Sequence, residues 1–342
     1  MKFPLAASFS RSAWSLLSGG LILLCSVSAP AAAQQTLRPE VEAFIGEMVH
    51  KHEFRRAALR RVFSQVRPRP AILRAISAPA TAKPWYEFRS RYVDATRIAG
   101  GIRFWEQHAE TLARARHDYG VPEEVIVAII GIETLYGRNT GSFRVLDALS
   151  TLAFDYPPRA DLFMAELEQY LLLSRETGLN ALDLKGSYAG AMGIPQFLPS
   201  SYRKCAVDFD GDGRRDLNGV TDAIGSVANY LQAFGWKPGE PVVIPAETAD
   251  SGIDAMPDSG IKPDITIGEL RRRGITPLAP VSDKAEAAFF SVETESGPQY
   301  WLGLQNFYVI TRYNRSINYA MAVHALAGEL RAGMNLNQAA RE

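Results

Sequence analysis

"VAIIGIETLYGRNTGSFRVL", residues 127–146, places one carboxylate, Glu133, inside an apolar run that otherwise reads as a buried helix. An ionised side chain in such a run loses hydration unless something compensates for the loss. Upstream, Pro122 suits a first helical turn, and Glu123 and Glu124 favour the positive end of the helix dipole. Val125, Ile126, Ile129, Ile132 and Tyr136 follow helical spacing, and Glu133 falls beside or within their stripe. It also lies in the last turn, where the dipole disfavours negative charge. Desolvation and dipole then both raise its pKa, as a general acid working near neutral pH requires. On this helix alone a second reading stays open, a structural Glu tucked onto a backbone N–H or an Arg.

Two further stretches carry chemistry. "GSYAGAMGIPQFLPSSY", residues 186–202, is rich in small residues with a Gln at its centre, so backbone and polar side chains can come close to a ligand. It also reads as an ordinary Gly-rich loop leading into a helix. "DFDGDGRRDLNGVTD", residues 208–222, begins like a calcium loop, with Asp208, Asp210 and Asp212 at alternate positions and Gly213 at the sharp turn. Arg214 then offers a backbone carbonyl. Gly219 stands where a standard loop has its bidentate Glu, and Asp216 is the weaker, exposed candidate. The five His residues show no metal-ligand spacing.

Composition narrows the function classes. The 342 residues, 47% apolar, suffice for one large core or two modest ones. Basic and acidic residues balance at 37 each, which argues against a nucleic-acid or heparin binder but not against an uncharged polymer. Residues 1–33 hold Lys2 and Arg11, an apolar span and the small-residue pattern "APAAAQQ", and read as a cleaved export signal. Lipid attachment at Cys25 is the lesser alternative, because Leu24 rather than a small residue precedes it. Cleavage leaves Cys205 alone and therefore no internal disulfide.

Helical periodicity runs through "VEAFIGEMVHKH", "RRAALRRVFSQV", "IRFWEQHAETLARARHDYG" and residues 122–136, 159–175 and 220–234. "EPVVIP", "AEAAFFSVET", "QYWLGL" and "FYVITRY" carry the β-branched and aromatic pattern of a small sheet, and "NYAMAVHALAGELRAG" reads as a closing helix. The expected class is mainly α with a minor β element.

"GIETLYGRNTGSFRVLDALSTLAFDYPPR", "GSYAGAMGIPQFLPSSY", "DAIGSVANYL" and "NFYVITRYNRSINYAMAV" together resemble the B-type lytic murein transglycosylases of the lysozyme-like superfamily. The resemblance runs from about residue 37 to 332. It implies a lysozyme-like helical core (116–237) carrying an EF-hand-like loop, after an N-terminal helical region (34–115). A small β region (238–304) and a C-terminal segment returning to the core (305–342) follow. It implies an exported, periplasmic enzyme that cuts peptidoglycan glycan strands between N-acetylmuramic acid and N-acetylglucosamine without water, leaving 1,6-anhydro ends. In that family one Glu acts as acid and then base, and its position matches Glu133. The groove residues map onto Ser187, Gln196, Tyr230, Tyr313, Asn314 and Tyr319, with Met192 and Phe197 lining the site or merely packing. Asp222 matches a late ligand of an enlarged loop, so Asp208, Asp210, Asp212, Arg214 and Asp222 form the expected structural calcium set. Asp147 and Asp155 read as cap or salt-bridge residues rather than a second catalytic carboxylate. Glycan strands are the expected partner, with other wall-building or wall-cutting proteins as further candidates and nucleic acid excluded. The rival readings are a water-using muramidase and a non-catalytic wall-binding protein.

Overall fold

The computed structural model describes residues 36–77, 83–249 and 260–340. The expected signal segment and Cys25 lie outside them. Among the described residues, no helix is long and apolar enough to cross a membrane.

The centre of the fold is the helix Glu123–Thr134, of whose twelve residues all but Glu133 are buried. It is packed by the helices Ala95–Gln107, Ala109–Tyr119, Val220–Ala233 and Ile317–Ala339. A helix surrounded in this way needs apolar residues all round, and "VIVAIIGI" supplies them. The helices Val145–Asp155 and Ala160–Thr177 form a second packed pair, and Pro39–His52, Arg56–Phe63 and Pro70–Ser77 precede them in the chain. The stretch "IRFWEQHAETLARARHDYG" forms two helices rather than one. They break at His108, whose N–H bonds back to Phe104 and Trp105 and whose ring packs 4.7 Å from that of Phe104.

The strands Ile265–Thr266, Glu286–Thr294, Gly297–Gly303, Val243–Thr248 and Ile275–Pro277 lie side by side in that order, each antiparallel to its neighbours. Side chains alternate between faces with the period of a strand. Phe290 and Val243 join the main core, whereas Phe289 and Ile244 join a smaller core with Ile267 and Leu270 of the short helix Ile267–Arg272.

"FYVITRY" corrects the strand expectation, because it lies in the helix Gln305–Tyr313. Its β-branched and aromatic residues match a strand by type, but tertiary packing overrides that preference. Asn306, fully buried, accepts from the Lys237 N–H and donates to the Lys237 and Glu240 carbonyls, fixing the helix start. Phe307 then stacks on Phe290 at 4.7 Å, and Ile310 continues the same buried face.

Candidate active site

The glutamate helix ends abruptly just after Glu133. Leu135 and Tyr136 both adopt positive φ, at 52° and 63°, before Gly137 at 86°. A left-handed conformation costs an ordinary residue roughly 1–2 kcal/mol, so two in succession must be held by their surroundings. The Tyr136 hydroxyl donates to the Arg97 carbonyl at 2.8 Å. Its ring fills a slot that only glycine leaves open: a Cβ on Gly101 or Gly131 would lie 2.5 Å from that hydroxyl oxygen. Glu133, in the last helical turn before Leu135, is half-buried as a residue.

Protein still encloses the carboxyl itself, and this burial pushes its pKa up to about 7. A hydrogen bond from the Tyr319 hydroxyl to Oε1, 2.6 Å long, pulls in the opposite direction without cancelling the rise. Burial first, and then the nearby Glu133 charge, push the Tyr319 and Tyr313 hydroxyls well above the usual tyrosine range. Both stay protonated donors at any working pH. The two rings stack at 6.3 Å and 14°. Tyr230 lies behind Tyr313 at 4.8 Å, buried, with its hydroxyl donating to the Arg312 carbonyl at 2.6 Å.

The Gly-rich stretch closes against this turn. Gly186 pairs with Phe143, and a Cβ on Gly141 or Gly186 would collide with backbone oxygen at 2.1 or 2.2 Å. Ser187 is turned inward on its own loop, its hydroxyl accepting from the Ala189 and Ala191 N–H groups. Gln196, at φ 53°, donates from Nε2 to the carbonyls of Thr140 and Gly193. The Tyr313 hydroxyl reaches the Pro195 carbonyl at 2.5 Å, and Thr134, next to Glu133, donates to the Ile194 carbonyl at 2.9 Å. Thr134 carries no role in the sequence reading, because its hydroxyl looks like an ordinary helix-end side chain until the loop is in place. The structure thus joins Glu133, Tyr319, Tyr313 and Tyr230 through contacts, whereas the Gln196 side chain is tied to the loop backbone beside them. Asn314 is exposed at the end of the Gln305–Tyr313 helix, whereas Met192 and Phe197 are packed into the core.

The other acids nearby in sequence are engaged elsewhere. Asp147 is buried and accepts from the Arg67 N–H, Arg69 and Arg144, and Asp155 pairs with Arg38 at 2.6 Å. The acidic loop forms a separate cluster in which carboxylate oxygens of Asp208, Asp210 and Asp222 lie within 4.8 Å of one another. Backbone N–H groups organise them. Asp222 accepts from Phe209, Asp210 and Asp216, and Asp208 from Gly211, Asp212 and Gly213. Asp212 stands outside the trio, its Oδ1 accepting from the Arg214 N–H, and Asp216 is exposed. Convergent carboxylates on a turn with Gly211 and Gly213 at positive φ fit a hard cation with oxygen ligands.

Residues 36–328 match the family described as Transglycosylase SLT domain. The chain is 44% identical over 298 residues to the membrane-bound lytic murein transglycosylase B of Escherichia coli K12, covering 84% of this chain and 81% of that protein. The X-ray structure of catenated lytic transglycosylase SltB1 from Pseudomonas aeruginosa superposes with a TM-score of 0.83 at 51% identity, covering 87% of this chain and 99% of the other. The Escherichia coli lytic transglycosylase Slt35, solved in complex with calcium, gives 0.78 at 44%, covering 86% and 94%. Pseudomonas aeruginosa SltB3, solved with NAG-anhNAM-pentapeptide, gives 0.74 at 31%, covering 85% and 78%.

Proposed function

We propose, from the premise that this chain belongs to the transglycosylase SLT domain family and is a peptidoglycan lytic transglycosylase, that Glu133 is the one carboxyl through which it works. The observation carrying this reading is a carboxyl enclosed by protein and held on one oxygen by Tyr319, at the end of an otherwise buried helix, where burial pushes its pKa up to about 7. With Oε1 engaged by Tyr319, Oε2 is the oxygen assigned to the proton exchange. Protonated Glu133 gives its proton to the glycosidic oxygen between N-acetylmuramic acid and N-acetylglucosamine as the bond to the muramic C1 breaks. The muramic 6-hydroxyl oxygen then bonds to C1, and its proton returns to Glu133. The atoms balance without water, and the new end is a 1,6-anhydro sugar. Most glycosidases pair two carboxylates. Here Asp147 and Asp155 are held by arginines, so the positive charge developing at C1 is met by the substrate's own N-acetyl group.

Ser187, Gln196, Tyr313, Asn314 and Tyr319 form the glycan groove in this reading, and Tyr230 backs Tyr313. Asp208, Asp210 and Asp222, with Asp212 and the Arg214 carbonyl as the remaining oxygen donors, hold a structural calcium. The ion would tie the loop to the start of the Val220–Ala233 helix, which carries Tyr230. Calcium in the Slt35 structure supports this assignment. The protein is exported through residues 1–33 to the periplasm and acts on glycan strands there, using a core at 116–237 flanked by the N-terminal helices and the β region 238–304. Binding of peptidoglycan fragments by SltB3 supports the substrate class.

The test is digestion of purified sacculi by wild type and Glu133→Gln, with mass spectrometry of the released ends. Wild type is expected to release ends lighter by one water than hydrolysed ones, and the variant to release essentially none while still binding sacculi. Reducing-end muramic acid from wild type would identify a muramidase instead, and undiminished release by the variant would remove Glu133 from the chemistry.

A further inference from the structure

The geometry points to Thr134 as a positioning residue, one of two hydroxyl latches that close a ring of contacts around Glu133 and fix the Gly-rich loop relative to the acid. This inference rests on the reading of Glu133 as the acid. The ring can be followed residue by residue. Thr134, joined to Glu133 by one peptide bond and 1% exposed, donates to the Ile194 carbonyl at 2.9 Å. The next carbonyl along the loop, that of Pro195, accepts from the Tyr313 hydroxyl at 2.5 Å. The Tyr313 ring stacks on Tyr319, and the Tyr319 hydroxyl returns to Glu133 Oε1 at 2.6 Å. Two successive loop carbonyls are thus held by the helix that carries the acid and by the end of the Gln305–Tyr313 helix, where the Tyr313 ring stacks on the acid's hydrogen-bond partner.

Thr134 is suited to this place because a hydroxyl can donate and accept at once. While donating to Ile194, it accepts from the Gly137 N–H at 3.0 Å, so one buried oxygen joins the loop to the strained Leu135–Tyr136 turn. A valine has the same shape but would leave a buried N–H and a buried carbonyl each short of a partner. Gln196 lies immediately beyond the latched carbonyls, so slack at Ile194 and Pro195 would move it relative to Glu133 Oε2. A displacement of about 1 Å in a positioned group can lower a rate roughly 100-fold.

A double-mutant cycle tests the ring, using Thr134→Val, Tyr313→Phe and the pair, with Thr134→Ser as the conservative rescue. The readouts are kcat and KM for anhydro-end formation on soluble glycan strands, and Tm. Each single variant is expected to lower kcat by roughly 10- to 100-fold with a smaller change in KM, and Thr134→Ser to recover most of the loss. The double variant is expected to lose far less than the product of the two single losses, because either break opens the same ring. Thr134 and Tyr313 touch only through the loop, so a purely structural role predicts independent losses in Tm and multiplicative losses in kcat. Multiplicative kcat losses, a wild-type kcat in Thr134→Val, or no rescue by serine would each overturn the inference. If Thr134→Val does not fold, Thr134→Ala takes its place in the cycle. Glu133→Gln run beside the set separates the two readings. An active Glu133→Gln removes the reading of the acid, whereas an inactive one with a fully active Thr134→Val removes only the latch.

Discussion

The chain holds carboxylates in two contrasting ways. At Glu133 a lone carboxyl sits among apolar neighbours with one hydrogen-bond donor, Tyr319, and its pKa rises to about 7. In the 208–222 loop three carboxylates crowd within 4.8 Å of one another, and backbone N–H groups converge on their oxygens. Burial with one donor favours a group that exchanges a proton near neutral pH. Many N–H donors favour the ionised form while the crowding of like charges opposes it, a conflict that a bound cation would relieve. The same side-chain chemistry meets a single tyrosine donor in one place and several backbone N–H groups in the other.

Exchanging the features that separate the two places would break this contrast. Replacing Glu133 has the largest expected effect. Glu133→Gln should lower turnover by at least about 1,000-fold on sacculi, within the range set by loss of a general acid and base together. The same substitution should alter stability with a defined sign. Burial pushes the folded carboxyl up to about 7 from an ordinary value of 4.5, so its contribution to stability is expected to be full below about 4.5 and lost as pH rises through 7. Glu133→Gln should therefore be more stable than wild type at pH 8, by up to ~3 kcal/mol, and nearly equal to it at pH 4, as denaturant melts at the two pH values would show.

In the acidic loop, Asp222→Ala removes the acceptor of three backbone N–H groups and should cost about 2 kcal/mol. Added calcium should raise the Tm of wild type, and the rise should vanish in this variant, while the pH dependence of activity stays in place. A variant whose pH profile moved with calcium would join two places that the structure keeps apart. The smallest effect concerns Tyr319→Phe, which removes the donor that lowers the Glu133 pKa. The alkaline limb of kcat/KM, set by loss of the protonated acid, should move above 7 rather than below it, with kcat down roughly tenfold. A downward shift would assign the wrong sign to that hydrogen bond.

Much of this arrangement could be read from the chain. The buried helix followed from "VAIIGI", the place of Glu133 in its last turn from the same run, and the clustered carboxylates of the 208–222 loop from alternate Asp residues before Gly213. The remainder depended on tertiary contact. Nothing local marks Leu135 and Tyr136 as left-handed, since the conformation is imposed by the slot over Gly101 and Gly131. "FYVITRY" has strand-like residues and becomes helical because Asn306 and Phe307 find partners on residues 237–240 and on Phe290. Asp212 has the spacing of a ligand, and only the folded loop shows that it lies outside the Asp208, Asp210 and Asp222 trio with its Oδ1 accepting from the Arg214 N–H. Thr134 gains its part only once Ile194, distant in sequence, lies against it.

The most direct test of the central claim is to titrate the Glu133 carboxyl itself, following its carbon-13 resonance or carboxyl infrared band as a difference between wild type and Glu133→Gln. A midpoint near 7 is the expected result. A midpoint in the ordinary glutamate range, about 4.3, would contradict the account, because the carboxyl would then hold no proton to give at neutral pH.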